Sequence, residues 1–176
     1  MRLLAAFSTA LFAGFLASAE VPSAEAVLAS AKKKASAEHK TIFLHFGASW
    51  CGWCKRLDAF LDRDDIKPVF EKYFLPVQLV VQERAEKKAL ENPGADAVLK
   101  SLGGPSGLPY LAFLDADGKL IVNSKLDDAN IGFPSEPREI DWFVKMMKKA
   151  APQINGEEIK TIEAELRREA NARKGQ

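Results

Sequence analysis

Two cysteines close together in the chain are the residues best suited to chemistry. Cys51 and Cys54 stand three positions apart and are the only cysteines among the 176 residues. A disulfide constrains the unfolded chain more when it closes a longer loop, and this one would close almost none. The pair is therefore a poor structural staple and a good candidate for a reactive site.

The residues around the pair predict a strand before it and a helix after it. Residues 41–46 are almost all apolar, with β-branched and aromatic side chains, which is typical of a strand buried on both faces. A break at 47–49 precedes a predicted helix from about Cys51 to Leu61, with an apolar stripe on one side. The sequence thus predicts a strand–turn–helix unit with the cysteines at the start of the helix.

The start of that helix gives the two sulfurs different roles. In the first helical turn, free backbone N–H groups and the helix dipole stabilise a thiolate, which is the nucleophilic form of cysteine. Cys54 lies one turn after Cys51 on the same face, where the two Cβ atoms come within disulfide range. We expect Cys51 to be the exposed attacker and Cys54 to be shielded and to resolve the mixed disulfide.

Other roles are open to two cysteines at this spacing. They could form half of a zinc site, an inert surface disulfide or a copper(I) site, because copper(I) prefers soft thiolates. The chain has no second Cys-x-x-Cys, and His39 and His45 are its only histidines. The strand before the pair, the helix after it and the exported context described next favour redox exchange.

Residues 1–19 contain the three regions of a secretory signal peptide in order. Arg2 supplies the charge, residues 3–16 the apolar run, and residues 17–19 (Ala-Ser-Ala) the small-x-small cleavage pattern. The run is too short for a permanent membrane span, although an uncleaved anchor or a buried helix is the alternative. We expect cleavage and a periplasmic or secreted protein with no stable membrane anchor, in a compartment where disulfides persist.

Length and charge narrow the possible partners and the domain organisation. A chain of 176 residues suits one domain with its own core, and a formal net charge of +1 predicts no strongly basic face. Nucleic acid is therefore a poor candidate as a partner. We divide the chain into a signal peptide at 1–19, a domain at 20–152 and a C-terminal helical extension at 153–176.

The rest of the pattern predicts alternating helices and strands. The predicted helices are 21–40, 51–61, a short one ending near 73, 96–102, one starting after 135, and 154–173; the predicted strands are 41–46, 75–81, 110–114 and 119–123. Residues 115–118 predict a hairpin turn, 83–92 a loop or short helix, and 124–137 a long loop in which Ser135 caps the next helix, with Pro137 in its first turn. This order indicates an α/β fold with a mixed sheet covered by helices.

Two segments of the chain resemble the thioredoxin superfamily. Residues 46–55 (FGASWCGWCK) are similar to its active-site segment, and residues 108–118 (LPYLAFLDADG) are similar to its cis-proline loop and the strand that follows. The resemblance covers about residues 38–150. It implies a thioredoxin fold, with a central mixed β-sheet flanked by α-helices, here with an extra N-terminal helix and a C-terminal extension. It also implies a Cys51 nucleophile, a Cys54 resolver, a cis peptide before Pro109, and a redox-active Cys51–Cys54 disulfide with no other cofactor and no metal.

The same resemblance suggests how a substrate would bind. It implies that Pro109 packs beside the sulfurs and that the backbone of Leu108 pairs with a substrate peptide as an added strand. Trp50 would supply a flat apolar surface beside the site, and Trp53 would contact substrate or shield the disulfide. The Gly-Trp between the cysteines differs from the Gly-Pro of thioredoxins and the Gly-His of disulfide isomerases, which leaves the direction of electron flow open.

His45 is the main departure from the family pattern. It stands six residues before Cys51, where thioredoxins carry a buried Asp and isomerases a Glu that takes the proton of the resolving thiol. A neutral imidazole could accept that proton, and burial would lower its pKa further. The alternative is a hydrogen-bonded core histidine with no role in proton transfer.

The sequence therefore predicts an exported thiol–disulfide oxidoreductase that exchanges disulfides with protein partners. A membrane thiol reductant would donate the electrons if the protein works as a reductant. The alternatives are a copper(I)-binding module built from the two cysteines and His45, and a non-catalytic interaction protein that uses the groove at Leu108 and Pro109.

Overall fold

The computed structural model describes residues 20–104 and 107–174. The predicted signal peptide at 1–19 lies outside the described residues. In the part that is described, no helix is both long and apolar enough to cross a lipid bilayer.

The described helices and strands follow the predicted order. The helices are α1 (Ala24–Glu38), α2 (Gly52–Leu61), α3 (Lys67–Tyr73), α4 (Ala95–Ser101), α5 (Pro137–Ala150) and α6 (Gly156–Lys174), with a 3-10 helix at Ala85–Leu90. The strands are β1 (Thr41–Gly47), β2 (Phe74–Val80), β3 (Tyr110–Leu114), β4 (Leu120–Asn123), β5 (Lys125–Leu126) and β6 (Ala129–Asn130).

Strands β1 to β4 form one mixed sheet in the order β2-β1-β3-β4. Strand β1 is parallel to β2 and antiparallel to β3, and β3 is antiparallel to β4. Helices cover both faces, with α1 at the N-terminal end and α6 at the C-terminal end of the domain. The predicted fold class is confirmed, including the additional helices at both ends.

Neighbouring residues of β1 contribute to two separate cores, because side chains alternate between the faces of a sheet. Phe43 packs with residues of α2, α3, α5 and α6, and its ring lies 5.1 Å from that of Phe70. Leu44 points to the other face, where it packs with residues of α1 and α4. Ile162 and Leu166 of α6 are buried in the first core, so the C-terminal extension is part of the packed domain.

The predicted long loop at 124–137 contains secondary structure that the sequence does not predict. Strands β5 and β6 form a short hairpin, paired from Lys125 to Asn130. Asp127 and Asp128 make its turn with positive φ angles of 48° and 65°. Short-range hairpin prediction relies on Asn-Gly or Asp-Gly at such positions, and two aspartates give a weaker signal.

The cap of α5 also differs from the prediction. The N-cap is Glu136 rather than Ser135, and Pro137 is the first helical residue. The side chain of Glu139 turns back and accepts hydrogen bonds from the backbone N–H groups of Ser135 and Glu136, both at 2.9 Å. Serine is a common N-cap, and for this reason the sequence favours Ser135. In the structure, Glu139 in the first turn accepts from the backbone N–H groups at the start of the helix instead.

Candidate active site

Cys51 and Cys54 form a disulfide at the N-terminus of α2. Cys51 is the N-cap residue, and its Sγ accepts a hydrogen bond from the backbone N–H of Cys54 at 3.1 Å. This N–H is one of the donors that the first helical turn leaves without a backbone partner. When the disulfide is opened, the same donor and the helix dipole would favour negative charge on the Cys51 sulfur.

The two cysteines are equally covered, which corrects the expectation of an exposed Cys51. The exposed fraction is 3% for Cys51 and 2% for Cys54. Ala48 and Leu108 pack against the pair, while Trp50 and Trp53 remain 45% and 43% exposed. The oxidised site therefore has two exposed tryptophans at its surface, while both cysteines are covered.

Gly47 allows the start of α2 to approach β1 closely. A Cβ atom at this position would lie 3.4 Å from both the Cβ and the Sγ of Cys54, and 3.2 Å from the Nε2 of Gln78. The glycine therefore leaves room for the second sulfur beside the central strand.

A buried carboxylate holds the turn that leads into the disulfide. Glu83 accepts hydrogen bonds from the backbone N–H of Ser49 at 2.5 Å and from its hydroxyl at 2.8 Å. Next to it, the indole N–H of Trp50 donates to the carbonyl oxygen of Gln82 at 2.7 Å. The segment after β2 thus fixes the two residues that precede Cys51.

The loop before β3 brings Leu108 and Pro109 to the disulfide. The Leu108–Pro109 peptide bond is cis. Leu108 packs against the cluster of Ala48, Cys51 and Cys54. The structure therefore brings together the two segments, 46–55 and 108–118, on which the resemblance to thioredoxins rests.

Trp53 is held from several sides at the edge of the site. Its ring stacks on Phe133 with the centroids 6.2 Å apart. The guanidinium groups of Arg173 and Arg56 lie 5.0 Å and 5.7 Å from its centroid, which is cation–π range. Arg173 also donates a hydrogen bond to the carbonyl of Ser135, so the end of α6 reaches the candidate active site.

His45 lies on the face of β1 that α2 covers, two residues before Gly47. It is 5% exposed, and within the described chain its Nδ1 has no hydrogen-bond partner. This nitrogen lies 3.8 Å from Oδ1 of Asp58, which is too long for a hydrogen bond. Burial lowers the pKa of His45 to about 4, so the imidazole is neutral at neutral pH. Burial also raises the pKa of Asp58.

Sequence reasoning missed several residues of the site. Glu83 lies in the stretch 83–92, for which the sequence predicts only a loop or short helix, and Gln82 lies just before it. Their contacts join residues more than 30 positions apart. Asp58 and Phe133 gave no motif to follow. No local pattern in the sequence points to contacts of this kind.

The fold and the cysteine pair together define a thioredoxin-fold protein with a site of the thiol–disulfide type. The family described as a thioredoxin-like domain matches residues 28–125, more than half of the chain. The chain belongs to this thioredoxin-like family.

The chain is also similar to several solved structures. The disulphide isomerase from Xylella fastidiosa Temecula1 is 25% identical, with 70% of this chain and 87% of that chain covered and a TM-score of 0.48. The oxidised C-terminal domain of DsbD from Neisseria meningitidis is 23% identical, with 73% and 99% covered and a TM-score of 0.47. A DsbH oxidoreductase is 23% identical, with 84% and 96% covered and a TM-score of 0.45. None of the curated proteins compared with the chain matches it.

Proposed function

We propose that this protein is an exported thiol–disulfide oxidoreductase acting on protein thiols and disulfides. The observation that carries the proposal is the Cys51–Cys54 disulfide at the start of α2, with the Cys54 N–H directed at the Cys51 sulfur. Membership of the thioredoxin-like family supports the same chemistry. The signal-peptide pattern of residues 1–19 supports export to the periplasm or outside the cell.

In the reducing direction, the reaction runs through two exchanges. The thiolate of Cys51 attacks one sulfur of a partner disulfide, forming a mixed disulfide and releasing the other partner sulfur as a thiolate. Cys54 then attacks the sulfur of Cys51, which reforms the Cys51–Cys54 disulfide and releases the second partner thiol. Two electrons have passed to the partner, and a dithiol reductant, proposed to be a membrane thiol reductant, returns them. The reverse sequence oxidises a partner dithiol.

The resolving step requires removal of a proton from the Cys54 thiol, and His45 is the proposed acceptor. Its position on the same face as Gly47, which adjoins Cys54, and its unpartnered Nδ1 within the described chain support this role. A pKa of about 4 makes the imidazole a weak base, so it would hold the proton only briefly. Since 3.8 Å is too long for direct transfer to Asp58, a water molecule beside this partly exposed carboxylate would take the proton to solvent.

The proton role of His45 can be separated from mere packing. A His45→Leu variant keeps a side chain of similar size but has no proton acceptor. We expect slower release of partner from a preformed Cys51 mixed disulfide, with an unchanged rate of the first attack. Equal release rates in the variant and the wild type would leave His45 as a core residue only.

Reduction of insulin by dithiothreitol tests the proposed function directly. The wild-type protein should accelerate the precipitation of reduced insulin, and the Cys51→Ser variant should give only the rate of dithiothreitol alone. Wild-type protein that fails to accelerate the reaction, yet retains stoichiometric copper(I) through both cysteines, would replace this proposal with the metal-binding alternative.

A further inference from the structure

The β5–β6 hairpin makes direct contact with the loop that carries Leu108 and Pro109. The side-chain Nδ2 of Asn130, the last residue of β6, donates to the carbonyl oxygens of Gly107 at 3.1 Å and Pro109 at 3.0 Å. These two carbonyls lie on either side of Leu108. Both hydrogens of one carboxamide are therefore used to hold this loop.

The other end of the same carboxamide is anchored in the domain. Oδ1 of Asn130 accepts hydrogen bonds from the hydroxyl of Ser124 at 2.7 Å and from the backbone N–H of Gly132 at 3.2 Å. The Ser124 oxygen accepts in turn from the backbone N–H of Leu111 in β3 at 2.9 Å, and Ser124 is fully buried. The Asn130 Nδ2 donates to carbonyl oxygens, and the Asn130 Oδ1 accepts from a hydroxyl and an N–H group. Only one of the two orientations of the carboxamide can make all four hydrogen bonds.

The hairpin also forms one wall of a groove beside the disulfide. The groove has a volume of about 560 Å³, and its lining includes Trp53, Leu108, Asn130 and Phe133. Trp53 stands between the two cysteines in sequence, and Leu108 packs against them, so the groove lies beside the disulfide. A displacement of Asn130 would change both the wall of the groove and the loop that faces the disulfide.

We infer that Asn130 is a positioning residue for partner docking, and that the β5–β6 hairpin is the element through which this protein recognises an extended polypeptide. The hairpin holds the 107–109 loop in place, and the segment of the partner next to its disulfide lies in the groove between the hairpin and Trp53. The inference rests on the proposed function and deepens it. Small thiols do not need this surface, since they reach the sulfurs without docking a chain.

An Asn130→Asp variant tests the inference with almost no change in shape. It keeps the oxygen that accepts from Ser124 and Gly132, loses both donors, and places negative charge against two carbonyl oxygens. We expect kcat/KM for insulin reduction to fall about tenfold, the change that ~1.4 kcal/mol of lost transition-state stabilisation produces, with the loss mainly in KM. The rate at which dithiothreitol reduces the Cys51–Cys54 disulfide should not fall below about half of the wild-type rate, because that reaction needs no docking and a displaced Leu108 would uncover the sulfurs.

Asn123, the last residue of β4 in the four-stranded sheet, provides a matched control. Its Nδ2 donates to the carbonyl of Leu102 at 3.1 Å, and its Oδ1 accepts from the backbone N–H of Lys125, but it does not line the groove. The Asn123→Asp variant should reduce insulin within about twofold of wild type. Asn130→Ala, which removes the carboxamide without adding charge, should show the same split between insulin and dithiothreitol as Asn130→Asp.

The outcomes separate the inference from the function on which it rests. If wild type reduces insulin and the two aspartate variants have the same kcat/KM, the inference is overturned and the proposed function stands. An equal loss of the insulin and dithiothreitol reactions in both Asn130 variants also overturns it, because the residue would then act on the disulfide or the fold. A wild type that cannot reduce insulin overturns the proposed function, and the inference with it.

Discussion

Replacing His45 with leucine should make the protein more stable and change how its stability depends on pH. His45 is buried, and its Nδ1 has no hydrogen-bond partner within the described chain. A buried polar atom left unsatisfied costs about 1–3 kcal/mol, so an apolar side chain of similar size should raise the free energy of unfolding by ~1–2 kcal/mol near pH 7.5.

The pH dependence follows from the lowered pKa of the imidazole. The folded pKa is about 4 against an ordinary value of 6.5. Between these values the unfolded chain binds more protons than the folded chain, so the free energy of unfolding falls as the pH falls through this window. A difference of about 2.5 pKa units corresponds to roughly 3 kcal/mol lost below pH 4, and most of it is lost by pH 4.5.

Urea unfolding of wild type and His45→Leu at pH 7.5 and pH 4.5 measures both effects. The stability advantage of the variant should grow by roughly 2–3 kcal/mol at the lower pH, because leucine carries no titrating group. His39→Asn supplies a control for the loss of an exposed imidazole, and asparagine suits its left-handed backbone conformation, with φ 53°. An advantage of the same size at both pH values would show that the pKa of His45 is not lowered in the folded protein.

Three further substitutions probe the supports of the site and the core. Glu83→Gln removes the charge that accepts two hydrogen bonds from Ser49, so we expect the free energy of unfolding in urea to fall by ~1–2 kcal/mol and insulin reduction to slow. Unchanged values for both would show that the contact between Glu83 and Ser49 does not support the site. Gly47→Val places methyl groups against Cys54, and its disulfide should react with dithiothreitol at a different rate from wild type; an unchanged rate would contradict this packing. Ile162→Ala creates a cavity under α6 and should lower the free energy of unfolding in urea by ~2–5 kcal/mol. The folded fraction of this variant should reduce insulin at the wild-type rate. A loss below about 1 kcal/mol would mean that α6 is not part of the core.

The elements of the sheet could be predicted because their sequences carry strong local patterns. The continuous apolar run at 41–46 predicted the central strand, and it became β1, which is paired on both sides. The Asp-Gly turn at 115–118 predicted the antiparallel step from β3 to β4. Patterns of this kind depend only on burial and turn chemistry, which are local properties of the chain.

The β5–β6 hairpin could not be predicted because its stability comes from long-range contacts. Each of its strands has only two residues, too few for alternation to appear in the sequence. Its position is fixed by Asn130, whose hydrogen bonds reach back to Gly107 and Pro109, more than 20 residues earlier. The amino-acid sequence alone carries no pattern that predicts such long-range side-chain hydrogen bonds.

The candidate site was predictable only where its residues lie in local sequence patterns. Cys51, Cys54, Leu108 and Pro109 lie in two recognisable segments, and the fold brings these segments together. The equal burial of the two cysteines was not predictable, because it results from Leu108 and Ala48 packing over the disulfide. The solvent exposure of a residue depends on the whole tertiary structure rather than on its position in a helix.

Trapping of a mixed disulfide shows most directly whether Cys51 is the nucleophile. Reduced Cys54→Ser protein is mixed with oxidised insulin, and mass spectrometry identifies the cysteine that carries the insulin chain. We expect a stable adduct on Cys51 in this variant and no adduct with reduced Cys51→Ser, in which only Cys54 remains. An adduct of equal yield on Cys54 in the Cys51→Ser variant, or no adduct with either protein, would contradict this role of Cys51.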